Sequence, residues 1–122
     1  MATANGSFPL PDLIRAIEGR DPDAQIPLYA DEAEVQVINP DHPPRSPLKL
    51  HGKPAIASWI RDLCSLNMTH KVLDSVDGHG MVAFTEEGRY RDGVMVLSTS
   101  TAVVCDGLIT RQRVVLVWDD WD

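Results

Sequence analysis

The second half of the chain is divided at short intervals by dipeptides that end in glycine. These dipeptides favour tight turns between strands, and they stand at Asp77-Gly78, His79-Gly80, Asp92-Gly93 and Asp106-Gly107. The residues between them are rich in valine and threonine, which favour strands. Four consecutive strands are therefore predicted, at about 69–77, 81–90, 94–105 and 108–118. The third of these is long for a strand, so a bend or a bulge is expected within it.

The first half of the chain has the spacing of helices instead. Apolar residues recur at helical intervals between Pro9 and Gly19, and this pattern predicts a first helix that ends near Glu18. Asp21 followed by Pro22 has the form of a helix N-cap with proline in the first turn, which predicts a second helix. That helix must be short, because a proline beyond the first turn disrupts a helix and position 27 is proline.

Between the two halves lies a segment of mixed character. Residues 33–39 alternate between polar and apolar side chains, which predicts a half-buried strand. Four prolines fall within 40–47, so this segment is predicted to be a loop. A brief strand is expected at 49–51, and Lys53-Pro54 predicts the start of a third helix.

Length and charge exclude several classes of function. A chain of 122 residues fits one domain with one core and one pocket. Its net charge of −7 makes attraction to a phosphate backbone improbable, so no nucleic-acid partner is expected. No apolar run approaches a membrane span, and residues 1–7 lack the basic and apolar regions of a secretory signal. A cytoplasmic location is expected.

No metal and no cofactor are expected from the cysteine and histidine pattern. Cys64 and Cys105 lie in separate elements without Cys-x-x-Cys spacing, so we interpret them as reduced, buried thiols. The histidines at 42, 51 and 79 fall in loops or turns, with a spacing unlike that of a metal triad.

Two segments of the first half are distinctive when taken together. They are Pro27-Leu28-Tyr29-Ala30-Asp31-Glu32-Ala33-Glu34-Val35 and His51-Gly52-Lys53-Pro54-Ala55-Ile56-Ala57-Ser58-Trp59-Ile60. They resemble a Tyr/Phe-Ala-Asp-Asp-Ala-x-Val turn and a Gly-x-x-Ala-Ile-x-x-Trp/Phe helix start, which are carried by members of the nuclear transport factor 2-like superfamily and its SnoaL-like, polyketide cyclase-like branch. The resemblance covers about residues 9–119, which leaves a flexible N-terminus at 1–8 and an acidic tail at 120–122.

This resemblance implies an α+β cone. About three N-terminal helices would pack on a strongly curved mixed or antiparallel sheet and enclose a pocket between them. The same architecture serves isomerases, dehydratases, cyclases, epoxide hydrolases and binding proteins without activity, so it does not define a reaction. Relatives commonly form homodimers through the outer face of the sheet, which here would carry Arg111, Arg113, Val115 and Val117.

The last predicted strand has two distinct faces. One face carries Arg111 and Arg113, and the other carries Gln112, Val114 and Trp118. Arginines are costly to bury without partners, so the second face is predicted to point towards the pocket.

The preceding strand does not divide as clearly, because both of its faces are small and polar in the middle. Thr99 and Thr101 share one of these faces, and we expect them to line the pocket together with Trp59 from the third helix. Such a pocket is mostly apolar with a few directional polar groups, as is usual for a small-molecule site. For each aromatic residue alone, core packing is the simpler interpretation.

The chemistry of two branches of the superfamily is not expected here. The carboxyl groups of steroid-isomerase-like members align with Val37 and Thr99, and the aspartate of epoxide-hydrolase-like members aligns with Val114. None of these positions carries an acid. Proton abstraction by a carboxylate at these sites is therefore ruled out.

His70 is the leading candidate for acid–base chemistry. It ends a Thr-x-His-like segment that resembles the pocket histidine of dehydratase-like relatives, and histidine can transfer protons near neutral pH. In that branch the histidine acts beside a tyrosine and an aspartate, which would correspond to Tyr29 and Asp31. The simpler alternatives are a histidine bonded to backbone and an aspartate that caps a turn.

Three functions remain open from the sequence. The first is a pocket protein that binds a small, largely apolar or polycyclic molecule. The second is a cofactor-independent lyase or isomerase of dehydratase or cyclase type, acting on a polyketide-like or terpenoid-like substrate with His70 as acid or base. The third is a protein-interaction module.

Overall fold

The computed structural model describes residues 7–119. The elements in chain order are α1 Leu10–Glu18, α2 Pro22–Gln25, a 3-10 turn Ile26–Leu28, β1 Tyr29–Ile38, β2 Leu48–His51, α3 Lys53–Ser65, β3 Met68–Asp77, β4 Met81–Tyr90, β5 Met95–Cys105 and β6 Leu108–Trp118. The predicted α+β class, with three helices and a mixed sheet, is confirmed. Most of the predicted flexible N-terminus, 1–8, and the whole of the predicted acidic tail, 120–122, lie outside the described residues. Phe8 is described, and it is buried in the core.

The six strands form one sheet in the order β2-β1-β6-β5-β4-β3. The first and last strands of the chain, β1 and β6, pair in parallel, and all other neighbours pair antiparallel. The irregularity predicted in the long strand is confirmed, because the register between β5 and β6 shifts between Val103 and Val104. The strong curvature implied by the resemblance stays a prediction.

The helices cover one face of this sheet. In the contacts between elements, α1 packs against β3, and α3 packs against β1. Ile56 and Ile60 of α3 and Leu13 of α1 are at most 1 % exposed, as is Val35 of β1 beneath them. Truncating a side chain buried to this degree, such as Ile56→Ala, costs about 2–5 kcal/mol of stability.

Gly52 forms the turn between β2 and α3. Its φ of 88° lies in the left-handed region that favours glycine, and its N–H donates to the carbonyl of Ala33 at 2.8 Å. Pro54 stands in the first turn that follows, where proline costs no hydrogen bond. The turn therefore anchors the start of α3 to β1.

The opposite face of the sheet is open in the described part of the chain. Arg111 and Arg113 lie on it and are exposed, as the two faces of the last strand predicted. The prediction of two buried thiols is wrong for Cys105, which is exposed near the end of β5, while Cys64 is half-buried. None of the helices in residues 7–119 is long and apolar enough to span a membrane.

Candidate functional site

A cavity of about 290 Å³ lies between the helices and the covered face of the sheet. Most of its lining is apolar and comes from α1, α3 and all of the strands. The apolar side chains are Ile17, Val37, Leu48, Trp59, Leu63, Leu66, Met68, Phe84, Val96, Val114, Leu116 and Trp118. The polar ones are Gln25, Asn39, His42, His70, Glu86, Tyr90, Ser98, Ser100 and Gln112.

Five of the residues predicted for the site line this cavity: His70, Trp59, Gln112, Val114 and Trp118. Gln112 and Val114 are 4 % and 5 % exposed, because they occupy alternate positions on the covered face of β6. Trp59 reaches the cavity from the middle of α3, and Trp118 from the end of β6.

The prediction that Thr99 and Thr101 point towards the pocket is wrong. Both threonines are exposed, and Thr101 lies on a groove of the open sheet face next to Arg111 and Arg113. The covered face of β5 carries Ser98 and Ser100 instead, and alternation along a strand places the threonines on the other side. Both sets are small and polar, so the sequence pattern held no signal to separate them.

Asp31 also lies away from the cavity. Its side chain is 93 % exposed, and its carboxylate is 3.5 Å from Nζ of Lys53 at the start of α3. The pairing of β1 with β6 is irregular between Tyr29 and Glu34, and Asp31 falls within that interval. An exposed ion pair of this kind contributes little to stability, and the carboxylate is not placed to assist His70.

His70 forms an ion pair or hydrogen bond that the sequence did not predict. Its Nδ1 is 2.6 Å from Oε2 of Glu86, and the two side chains are only 11 % and 19 % exposed. A carboxylate can only accept, so Nδ1 carries the hydrogen of this bond. In the neutral ring Nε2 is then the unprotonated nitrogen, which is the form that accepts a proton from another molecule.

Glu86 is a residue of this site that the sequence analysis did not single out. On β4 the buried positions are Val82, Phe84 and Gly88, and Glu86 lies on the same face between Phe84 and Gly88. The period of two along this strand was the signal that would have found it. Its neighbour Glu87 faces the other way and lies 3.7 Å from Arg89.

Tyr29 lies behind the lining rather than in it. It is 1 % exposed, and its hydroxyl donates to Oε1 of Gln112 at 2.5 Å. Gln112 in turn donates from Nε2 to Oγ of Ser100 at 3.1 Å. Burial raises the pKa of the Tyr29 phenol, so the group stays a neutral donor. The effect of this chain of bonds is to fix the orientation of the Gln112 amide at the cavity wall.

The comparisons with known proteins rest on structure. No protein-family model matches the sequence, and no curated protein matches it either. An NTF2-like protein of unknown function from Mesorhizobium loti superposes with a TM-score of 0.77 at 15% identity, over 88% of this chain and 86% of that one. The chain has the NTF2-like fold.

Two further solved structures share this NTF2-like fold. A candidate polyketide cyclase from Sinorhizobium meliloti gives a TM-score of 0.67 at 20% identity, over 86% of this chain and 91% of its own. A protein with a ketosteroid isomerase-like fold from Catenulispora acidiphila, in complex with trimethylamine, gives 0.62 at 14% identity, over 88% and 85%. At identities this low, structural similarity shows the fold alone and leaves the reaction open.

The lining of the cavity carries little charge. Among its described residues the cavity lining contains one carboxylate, Glu86, and neither lysine nor arginine. Val37 and Val114 contribute apolar surface to it. The carboxylate of the described lining is therefore paired with a histidine, His70, and not with a lysine or an arginine.

Proposed function

We propose that this protein binds a small, largely apolar molecule in the cavity between its helices and its sheet. The observation that carries the proposal is the cavity itself, whose volume of about 290 Å³ is at the lower end of ligand pockets. Its lining has the usual composition of such sites, since apolar side chains predominate and a few polar groups converge. The trimethylamine complex of the Catenulispora acidiphila protein supports the binding of a small molecule by this fold.

The experiment uses N-phenyl-1-naphthylamine, an uncharged probe that becomes fluorescent in apolar sites. We expect saturable binding to the wild-type protein and its loss in Val114→Phe, because Val114 is 5 % exposed and lines the cavity. Val115→Phe is the matched control, since Val115 is the next residue and is 44 % exposed on the other face. Binding that Val114→Phe leaves unchanged, or no binding at all, would overturn the proposal.

A second candidate function is proton transfer by His70. The specific observation that favours it is the Nδ1 contact with Glu86, because a carboxylate that holds one ring nitrogen orients the other as a base. The reaction would be a cofactor-independent elimination or isomerisation within an apolar site, on a hydroxylated polycyclic substrate. Tyr29 would act through Gln112, as a positioning residue, because its hydroxyl does not reach the lining.

This second candidate is tested by turnover of a panel of hydroxylated polycyclic compounds. Loss of turnover in His70→Ala is expected, while Asp31→Asn, which alters an exposed carboxylate, should keep the wild-type rate. Equal rates in His70→Ala and the wild type would remove the proposed role of His70.

We also propose that the protein forms a homodimer through the open face of the sheet. Leu97, Val115 and Val117 are 45 %, 44 % and 57 % exposed, and Leu97 and Val117 are direct partners in the register of β5 and β6. Apolar side chains that cluster on an exposed surface mark a contact surface in many proteins.

A further inference from the structure

Four polar side chains form a row on the covered face of the sheet. They are Glu86 of β4, Ser98 and Ser100 of β5, and Gln112 of β6, and we call them the polar row. Glu86 and Ser98 are direct partners in the register of β4 and β5, which places their Cβ atoms about 4.5–5.5 Å apart. Ser100 lies two residues further along β5 on the same face, and it accepts the bond from Gln112.

Ser98 differs from the rest of the row in its hydrogen bonding. Glu86 is engaged by His70, and Ser100 and Gln112 bond to each other. Within the described part of the chain, the Ser98 hydroxyl forms no side-chain hydrogen bond, although the residue is only 8 % exposed and lines the cavity. No buried side-chain oxygen or nitrogen of the described residues lacks a partner, so the Ser98 oxygen is accessible from the cavity, where a bound molecule can supply the hydrogen bond.

The charge of the same surface limits what that partner can be. Glu86 is 19 % exposed beside Ser98, and no lysine or arginine of the described residues lines the cavity to offset an added negative charge. An anion placed there would face a carboxylate in a poorly solvated space, where repulsion between like charges is strong. One oxygen of the carboxylate already accepts a hydrogen bond from His70, so Glu86 has a donor without a cationic ligand.

We propose that the ligand of this cavity is an uncharged, mostly apolar molecule with one hydroxyl or carbonyl oxygen, and that Ser98 binds this oxygen. The apolar part of the molecule then lies against Ile17, Trp59 and Leu63 on the helical side. This inference rests on the proposed binding function, and it adds the chemical class of the ligand and the residue that selects it.

The test is displacement of N-phenyl-1-naphthylamine by five compounds on one bicyclic skeleton: tetralin, 2-tetralol, 2-tetralone, 2-aminotetralin and tetralin-2-carboxylate. We expect the alcohol and the ketone to bind most tightly and the carboxylate most weakly, with tetralin in between. Ser98→Ala should weaken binding of the alcohol and the ketone about three- to tenfold, the loss expected for one uncharged hydrogen bond, and leave tetralin unchanged.

Thr99→Ala is the matched control, because this neighbouring hydroxyl is exposed on the other face of β5. Its affinities should equal those of the wild type. Tightest binding of the carboxylate or of the ammonium compound would overturn the proposal, and so would equal losses for tetralin and 2-tetralol in Ser98→Ala. Failure of the probe and of all five compounds to bind would instead remove the proposed binding function, and the inference with it.

Discussion

His70 and Glu86 approach to 2.6 Å between Nδ1 and Oε2, although they are not opposite each other in the register of β3 and β4. The direct partner of His70 is Gly88, and a Cβ at that position would be 2.5 Å from Cε of Met68 and 3.9 Å from Nδ1 of His70. The glycine therefore leaves room for Met68, whereas the imidazole would be in ordinary contact with a Cβ. The diagonal contact between His70 and Glu86 follows from the register of β3 and β4.

Removing the carboxylate should change which nitrogen of His70 carries hydrogen. In Glu86→Leu the acceptor of Nδ1–H is lost, so we expect the neutral ring to shift from the Nδ1–H form towards a mixture of tautomers. The 15N chemical shifts of the ring measure this directly and require no substrate. Glu86→Gln should restore the Nδ1–H form, because an amide oxygen also accepts.

Glu87→Leu is the control for that measurement. Glu87 is adjacent on β4 but lies near Arg89, away from His70, so its loss should leave the tautomer unchanged. A ring that keeps its wild-type tautomer in Glu86→Leu would show that Glu86 does not orient His70.

Tyr29→Phe should destabilise the protein without opening a cavity. The variant keeps the ring and removes the hydroxyl that donates to Gln112, so Oε1 of a residue that is 4 % exposed loses its partner. Leaving a buried acceptor unsatisfied costs about 1–3 kcal/mol. Urea unfolding measures this loss, and a change below the error of that measurement would contradict the proposed role of the bond.

The same tyrosine should make the protein less stable in alkali. Burial raises the pKa of Tyr29 above its ordinary value of 10.0, so above pH 10 the unfolded chain loses the phenolic proton while the folded chain keeps it. The unfolded state then binds fewer protons, and the free energy of unfolding falls by up to about 1.4 kcal/mol per pH unit. The contribution is complete below pH 10 and is lost as the pH rises towards the folded-state pKa.

Unfolding of the wild type and of Tyr29→Phe between pH 9 and 11.5 tests this prediction. The decline above pH 10 should be shallower in Tyr29→Phe, because no phenol remains at that site to titrate. Phe84→Leu, a core variant that removes no ionisable group, should decline as steeply as the wild type. Parallel curves for wild type and Tyr29→Phe would contradict a raised pKa.

The elements of the fold followed from local sequence signals. The bounds predicted for the strands at 81–90 and 108–118 are those of β4 and β6, since glycine turns and β-branched runs act over short distances. The sequence also predicted that Gln112 and Val114 lie on the covered face of the sheet, because the opposite orientation of the strand would have buried Arg111 and Arg113. Helix and strand periods thus predicted most of the architecture.

The site was less accessible from the sequence because it depends on how distant strands meet. His70 was identified, but its partner Glu86 is 16 residues away and becomes a neighbour only through the register of β3 and β4. The sequence does not show which face of β5 points towards the cavity, because both faces carry small polar residues. It therefore predicted Thr99 and Thr101, whereas the structure places Ser98 and Ser100 there. Asp31 was placed by resemblance, and an irregular stretch of β1 leaves it exposed.

The apolar patch on the open face of the sheet predicts a dimer that one charge can dissociate. Val117 is 57 % exposed and adjoins Leu97 across the register, so Val117→Asp would place a carboxylate in the centre of the proposed contact. Burying an unpaired charge is costly, whereas the same change in the monomer leaves the charge in water. Sedimentation should show a dimer for the wild type and a monomer for Val117→Asp at equal concentration.

Val76→Asp is the control for this last experiment, since Val76 is 65 % exposed on β3, three strands away from β6. It should sediment as the wild type does. A wild-type protein that is monomeric at all concentrations would refute the dimer, and equal dissociation by both variants would place the contact elsewhere on the sheet. Because neither valine lines the cavity, probe binding should persist in both variants, which separates assembly from ligand binding.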